Sequence, residues 1–498
     1  MAVSKQLEDL YDDTTVDPVY YAKAHVLNTA IQKIGMGRYQ YYLFVCAGFG
    51  WFADSVWPLI NALILTPVIA EFDFNGPFLS LAANIGLLVG AIVWGLGSDV
   101  WGRRWSFNLT LLIAGVFGLS AGGSPNLLTL ASLLAVVGVG VGGNMPVDSA
   151  VFLDFVPASH QYLLTVMSVW WSLGQLLISL LAWPLIANFS CSTSASTCSK
   201  SENMGWRYLL FTLGALTLVL SMIRFFAFNL LESPRFLVGI GRDQSAVNVI
   251  HQIAAYNSTT TNLSLEDLTS VDEKHVNQDG VALRPVLSET SIFTTTHIKA
   301  LFATRKMAIS TSLLITLWGI IGLASTLYNS FLPYLLTSRG AQFDDGNLYI
   351  TYRNQVILSV IGVPGAFLAG WAVELPYIGR KGTLTISSGL TGAFLFASTT
   401  ARSSNQLLGW NCAYVFFSNI MYGVLYAISP EIFPAKDRGT GNALVSTATR
   451  VFGVIAPVIA LYANLSTAVP VYISGALIIF AGFLALFLPF EPRGKASM

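Results

Sequence analysis

Twelve predominantly apolar stretches separated by polar breaks run through this chain, over residues 41–68, 77–97, 105–122, 127–150, 162–188, 206–230, 307–337, 352–374, 383–400, 405–429, 443–464 and 468–489. A hydrocarbon layer about 30 Å thick takes about 20 helical residues, and in lipid a chain must satisfy its own backbone donors and acceptors. The pattern therefore predicts an all-α polytopic membrane protein with twelve transmembrane helices. Only 10% of the 498 residues are charged, against about 25% in a soluble domain. The formal net charge is zero, which gives nucleic acid no field to bind and leaves membrane lipids and small solutes as the expected partners. The first residues, MAVSKQLEDLYDDTTVDP, lack an apolar core and do not read as a cleaved signal.

Lysine and arginine set the expected orientation, because positive loops stay in the cytoplasm. With both termini inside, Lys5, Lys23, Lys33, Arg38, Arg103, Arg104, Arg380, Lys381, Lys436, Arg438, Arg493 and Lys495 all fall on the cytoplasmic side. The other side keeps Lys200, Arg207, Arg339, Arg353 and Arg402, mostly at helix ends. The linker of residues 231–306 is polar, and NSTTTNLSLEDLTSVDEKHVNQDG within it predicts partial disorder with short amphipathic helices. The expected division is a cytoplasmic segment 1–40, a six-helix bundle 41–230, the linker 231–306, a second bundle 307–489 and a tail 490–498.

The two bundles echo one another. Asp54-Ser55 with Pro58 recurs as Asn329-Ser330 with Pro333, 275 residues later. Gly102-Arg103-Arg104 recurs as Gly379-Arg380-Lys381, and Asp154 with Pro157 recurs as Glu431 with Pro434, each 277 residues later. Landmarks in one order at matching helix ends predict two pseudo-symmetric halves that rock about a central cavity. VVGVGVGGN in the fourth segment supplies small residues for close helix approach.

The loop GLGSDVWGRR between helices 2 and 3, and its second copy GWAVELPYIGRK after helix 8, resemble the signature loops of the major facilitator superfamily. Leu231-Glu232-Ser233-Pro234-Arg235-Phe236-Leu237 and PEIFPAKDRGTG are similar to elements of its sugar-porter-like branch. GFGWFADSVW and VGGNMPVDSAVFLDFVP look most like the synaptic-vesicle-glycoprotein relatives and fungal permeases of that superfamily. The resemblance implies a secondary transporter whose cytoplasmic charge networks hold one access state. It assigns Asp99, Gly102, Arg103, Arg104, Asp154, Glu374, Arg380, Glu431 and Arg438 to gating. His160-Gln161 stands where the first half would show Arg-Gly, so its gate is expected to lack one ion pair.

Charges inside the membrane are costly and mark candidate functional sites. Asp54 lies deep in helix 1, where it could take a proton, hydrogen-bond substrate or sit in a structural pair. Arg450, some seven residues inside helix 11, could meet a substrate carboxylate or pair with Asp148 across the halves, and Asp148 is a second candidate for proton coupling. Arg224 is expected to snorkel to the cytoplasmic surface. Trp51, Asn144, Gln175, Tyr328, Asn329, Asn419 and Tyr422 supply the aromatic faces and amides of a cavity for a small polar ring or acid. Cys191 and Cys198 fall on the outer side, where a disulfide is permitted, whereas Cys46 and Cys412 lie in apolar segments. The five histidines all fall in cytoplasmic segments, so neither a metal site, a cofactor nor an enzyme is expected.

The expectation is alternating-access transport of a small polar organic solute, an organic acid or sugar-like, by proton-coupled uptake through a monomer in the plasma membrane. Proton-driven efflux and a non-transporting receptor on the same fold are the alternatives.

Overall fold

A computed structural model describes residues 18–191, 198–279, 298–299, 301–332, 348–375, 378–433, 438–462 and 468–489. Side chains at 18, 21, 96, 99–101, 158, 273–279, 438 and 439 lie outside that description. Among the described residues twelve long helices follow one another: α1 (Arg38–Phe72), α2 (Pro77–Trp101), α3 (Arg103–Ala121), α4 (Leu127–Phe155), α5 (Leu163–Phe189), α6 (Gly205–Ala227), α7 (Arg305–Asn329), α8 (Leu348–Ala372), α9 (Gly379–Ser398), α10 (Ser404–Ile432), α11 (Arg438–Tyr462) and α12 (Val469–Ala485). Nine are long and apolar enough to cross a membrane by length and composition, and α12 is a shorter apolar helix. The other two, α3 and α9, open on the basic pairs Arg103-Arg104 and Arg380-Lys381.

Local chemistry starts several of these helices where the apolar runs begin. Asn126, Thr304 and Ser403 accept hydrogen bonds from the backbone N–H groups of Thr129, Met307 and Gln406, which fills otherwise orphaned donors at the starts of α4, α7 and α10. Gly102 and Gly379 both take positive φ, 93° and 59°, at the tight turns before α3 and α9. The glycine run of α4 seats it against α2: a Cβ on Gly138 would meet the backbone at Ala83 and Leu87, and one on Gly142 the backbone at Leu87 and Ala91. Trp94 secures the contact by donating to the Val139 carbonyl at 2.8 Å.

Two buried apolar cores result, one centred on α1–α6 and one on α7–α12. Polar contacts join them, with Ser179 of α5 meeting Ser359 of α8 at 2.8 Å and Ser172 of α5 donating to Asn419 of α10 at 2.9 Å. Cys191 and Cys198, after α5, are disulfide-bonded and mark one end of the bundle; the Arg103 and Arg380 turns mark the opposite, basic end. Toward the disulfide end the described residues of the two halves are in contact. Leu327, Phe331, Leu348 and Ala456 of the second half are buried in the first-half core, and Tyr352 donates to the Leu63 carbonyl at 2.5 Å.

At the basic end the described part of the linker forms short helices. Helices Pro234–Gly239, Asp243–Tyr256 and Leu265–Asp279 pack with a helix before α1, Pro18–Ile34, into a cap on the first half. Lys23 bonds Asp243 at 2.5 Å and Asp272 at 2.8 Å; although burial opposes its charge, those bonds hold it above the ordinary lysine value. Residues 280–297 of the linker lie outside the described residues.

Candidate functional site

Asp54 sits in the middle of α1, fully buried, and faces across the molecule to α11 of the other half. Arg450 Nη2 lies 3.4 Å from its Oδ2 and 3.5 Å from its Oδ1. The expected pairing of Arg450 with Asp148 across the halves is not what the structure has, since Arg450 meets Asp54. Asp148 pairs within the first half, with Arg224 Nη2 at 2.7 Å.

Arg224 does not snorkel. It ends α6 in a π-helical turn, Ile223–Ala227, and is buried, donating to the carbonyls of Cys46 at 3.1 Å and Phe107 at 2.6 Å as well as to Asp148. Its guanidinium lies 3.5 Å from the centre of the Phe107 ring. These inward acceptors and the ring compensate its desolvation, which a count of residues from the helix end cannot reveal. Gly50 of α1 leaves room for the pair, since a side chain there would run into the Asp148 carboxylate.

A cavity of about 40 Å³, enough for a few waters, adjoins Arg450 on the basic side of its pair with Asp54. Its walls include Ser149 of α4, Trp318 of α7, Tyr426 and Ser429 of α10, and Asn442 and Arg450 of α11. Trp318 is fixed by donating to Ser429 Oγ at 2.6 Å. Sequence reasoning missed Trp318 and Tyr426; the signal available was the four-residue spacing that puts Tyr426 on the same helix face as Tyr422.

The other expected cavity residues divide. Trp51 meets Tyr426 with ring centres 5.3 Å apart, and its indole N–H is buried without a hydrogen-bond partner among the described residues. Among the described residues both amide atoms of buried Asn144 also lack a partner, as does Asp148 Oδ1. Tyr422 stacks on Trp171, while Asn419 is engaged by Ser172. Gln175 is half-buried on α5. Tyr328 donates to Asn411, and Asn329 accepts from Tyr414 at 3.0 Å, bonds that join α7 to α10. The sequence echo of Asp54 in Asn329 thus carries no echo of its contacts.

At the basic end each half closes one matching ion pair: Arg103 with Asp154, and Arg380 with Glu431 at 2.5 Å, both spanning 51 residues. Glu374 lies 3.6 Å from Arg380, Gly102 turns against Glu232, and Arg104 is exposed. Arg235 of the linker stands 3.6 Å from Asp154 and bonds Asn28 of the preceding helix. Burial pushes Arg235 down to about 10, which leaves it cationic at neutral pH. Both pairs lie within a half. The side chains of Asp99 and Arg438 lie outside the described residues.

The sequence matches the family described as Sugar (and other) transporter over residues 77–491. It is 70% identical over 492 residues to the "MFS siderochrome iron transporter 1" of Ceriporiopsis subvermispora, covering 98% of this chain and 94% of that protein. It is 48% identical to an uncharacterized MFS-type transporter of Schizosaccharomyces pombe, covering 99% and 92%. Among solved structures it resembles that of the proton:xylose symporter XylE bound to 6-bromo-6-deoxy-D-glucose, with a TM-score of 0.68, 19% identity, and coverage of 92% of this chain and 98% of that one.

Proposed function

Because the chain belongs to the sugar (and other) transporter family of the major facilitator superfamily, and is a multi-pass membrane transporter, we propose that it carries a small organic anion into the cell together with a proton. The observation that carries this reading is the Asp54–Arg450 pair, which joins the two halves at the edge of the cavity. When a cargo carboxylate takes Arg450, Asp54 is left buried without its cation, and a proton neutralises it rather than leaving a bare charge there. Proton and cargo then favour one another's binding, by the reciprocity that any coupling obeys. Asp148, held by Arg224 a short way off on the first half, is the second carboxylate in this path.

In this reading the basic end faces the cytoplasm, as its arginines favour, and the protein works as a monomer in the plasma membrane. Asp154 with Arg103 and Arg235, and Glu431 with Arg380, stiffen the cytoplasmic turns of their halves, and Asp99 and Arg438 are the candidates to bridge between them. Cargo chemistry is tested by uptake into proteoliposomes of the purified full chain. An inward proton gradient is expected to raise initial uptake of a small carboxylate about tenfold over no gradient, and to do nothing for a neutral hexose. Gradient-driven entry of the hexose alone would replace the anion reading.

A second reading rests on the name of the 70% identical relative, which points to an iron siderochrome. Uptake of labelled ferric chelate with no carboxylate uptake would favour it.

A further inference from the structure

The helix Pro18–Ile34 is built into the first half. Tyr20, Ala24, Leu27, Ile31 and Ile34 recur at helical spacing and are buried in the first-half core, so packing fixes one face of the helix. Lys23, bonded to Asp243 and Asp272, ties the same helix to two linker helices. Asn28 adds a contact that this anchoring does not require. Its Oδ1 accepts from both Nε and Nη2 of Arg235, the former at 3.1 Å. Arg235 Nη1 is left with no hydrogen bond among the described residues, 3.6 Å from Asp154 Oδ1, while Arg103 bonds Asp154 Oδ2.

Two buried guanidiniums therefore face one buried carboxylate, and a neutral amide holds one of them back. An amide bonds a cation without neutralising it, so Arg235 keeps its attraction for Asp154. Arg103 has the larger structural part. Its side chain pins the first turn of α3 to the end of α4, and its backbone N–H donates to Glu232 Oε1 at 3.1 Å. We propose that Asn28 is a positioning residue for the gate at the α2–α3 turn, holding Arg235 off Asp154 so that Arg103 keeps that carboxylate. The helix Pro18–Ile34 is then a strap on the basic end, and its effect does not depend on which solute is carried. Without the Asn28 oxygen, Arg235 loses two hydrogen bonds in a buried place, and the Asp154 carboxylate beside it can replace them. Arg103 must then share Asp154, the start of α3 loosens, and the basic end opens more readily.

Opening is read by a reporter thiol on the cavity wall, Ser446→Cys in a background of Cys46→Ala and Cys412→Ala, reacted with a charged maleimide in the purified full chain in detergent. Asn28→Leu, similar in volume but without the oxygen, should speed modification about tenfold, in keeping with the loss of hydrogen bonds to a charged group. Asn28→Asp keeps the acceptor and should leave the rate no faster than the parent's. Adding Arg235→Met to Asn28→Leu should return the rate to within about twofold of the parent, because Asp154 then has Arg103 to itself. If the helix merely packs, the double variant should react as fast as Asn28→Leu or faster, and that result overturns the proposal. An unchanged rate in Asn28→Leu overturns it as well.

Discussion

Arg224→Met is expected to destabilise the protein by about 3–5 kcal/mol, the cost of leaving a buried carboxylate without its cation. Asp148 and Arg224 are both fully buried, and nothing else described approaches as a cation to Asp148. The carbonyls of Cys46 and Phe107 that Arg224 also holds lie inside helices, so they keep their backbone donors when it goes. The loss should therefore concentrate on Asp148. Arg224→Met combined with Asp148→Leu should regain most of the lost stability, because an apolar pair of similar volume replaces a buried ion pair at little cost. Thermal unfolding of the detergent-purified variants reads both effects. A double variant no more stable than Arg224→Met would show that the charge pair is not the source.

Arg450→Gln should cost some stability, because it leaves the fully buried Asp54 without its cation, and should do far more to transport. Its side chain keeps some exposure, at 14%, and it lines the cavity rather than the core. A charge-assisted hydrogen bond is worth about 1.5–3 kcal/mol, so the KM for a carboxylate should rise about 10- to 150-fold. Arg450→Lys keeps the charge but loses the planar fork, and should fall between. A KM unchanged in Arg450→Gln would move the anion site elsewhere.

The sequence makes the architecture readable because each membrane crossing writes its own local record, an apolar run of about 20 residues with polar ends. All twelve runs overlap a helix, and the offsets that relate Gly102 to Gly379 reappear as matching left-handed turns. What stays hidden is rotation about each helix axis. Depth alone put Arg224 near a surface, whereas the π-turn that carries it aims the side chain inward. Depth likewise suggested Asp148 as the protein partner of Arg450, and only the packing of α11 against the first half places it beside Asp54. The offset from Asp54 to Asn329 is real in sequence, yet the two residues bond in different places, one between halves and one within. Non-local joints such as Lys23 with Asp243 and Asp272 leave no periodic trace at all.

The coupling role proposed for Asp54 is tested most directly by proton movement during transport. Proteoliposomes enclosing a pH-sensitive dye, with no imposed gradient, are given external carboxylate, and internal acidification is followed alongside labelled carboxylate exchange. The wild type should acidify its lumen as carboxylate enters. Asp54→Asn should still exchange carboxylate across the membrane and should carry no protons with it. Acidification in Asp54→Asn at the wild-type ratio of protons to carboxylate would contradict the assignment and place the proton on another group.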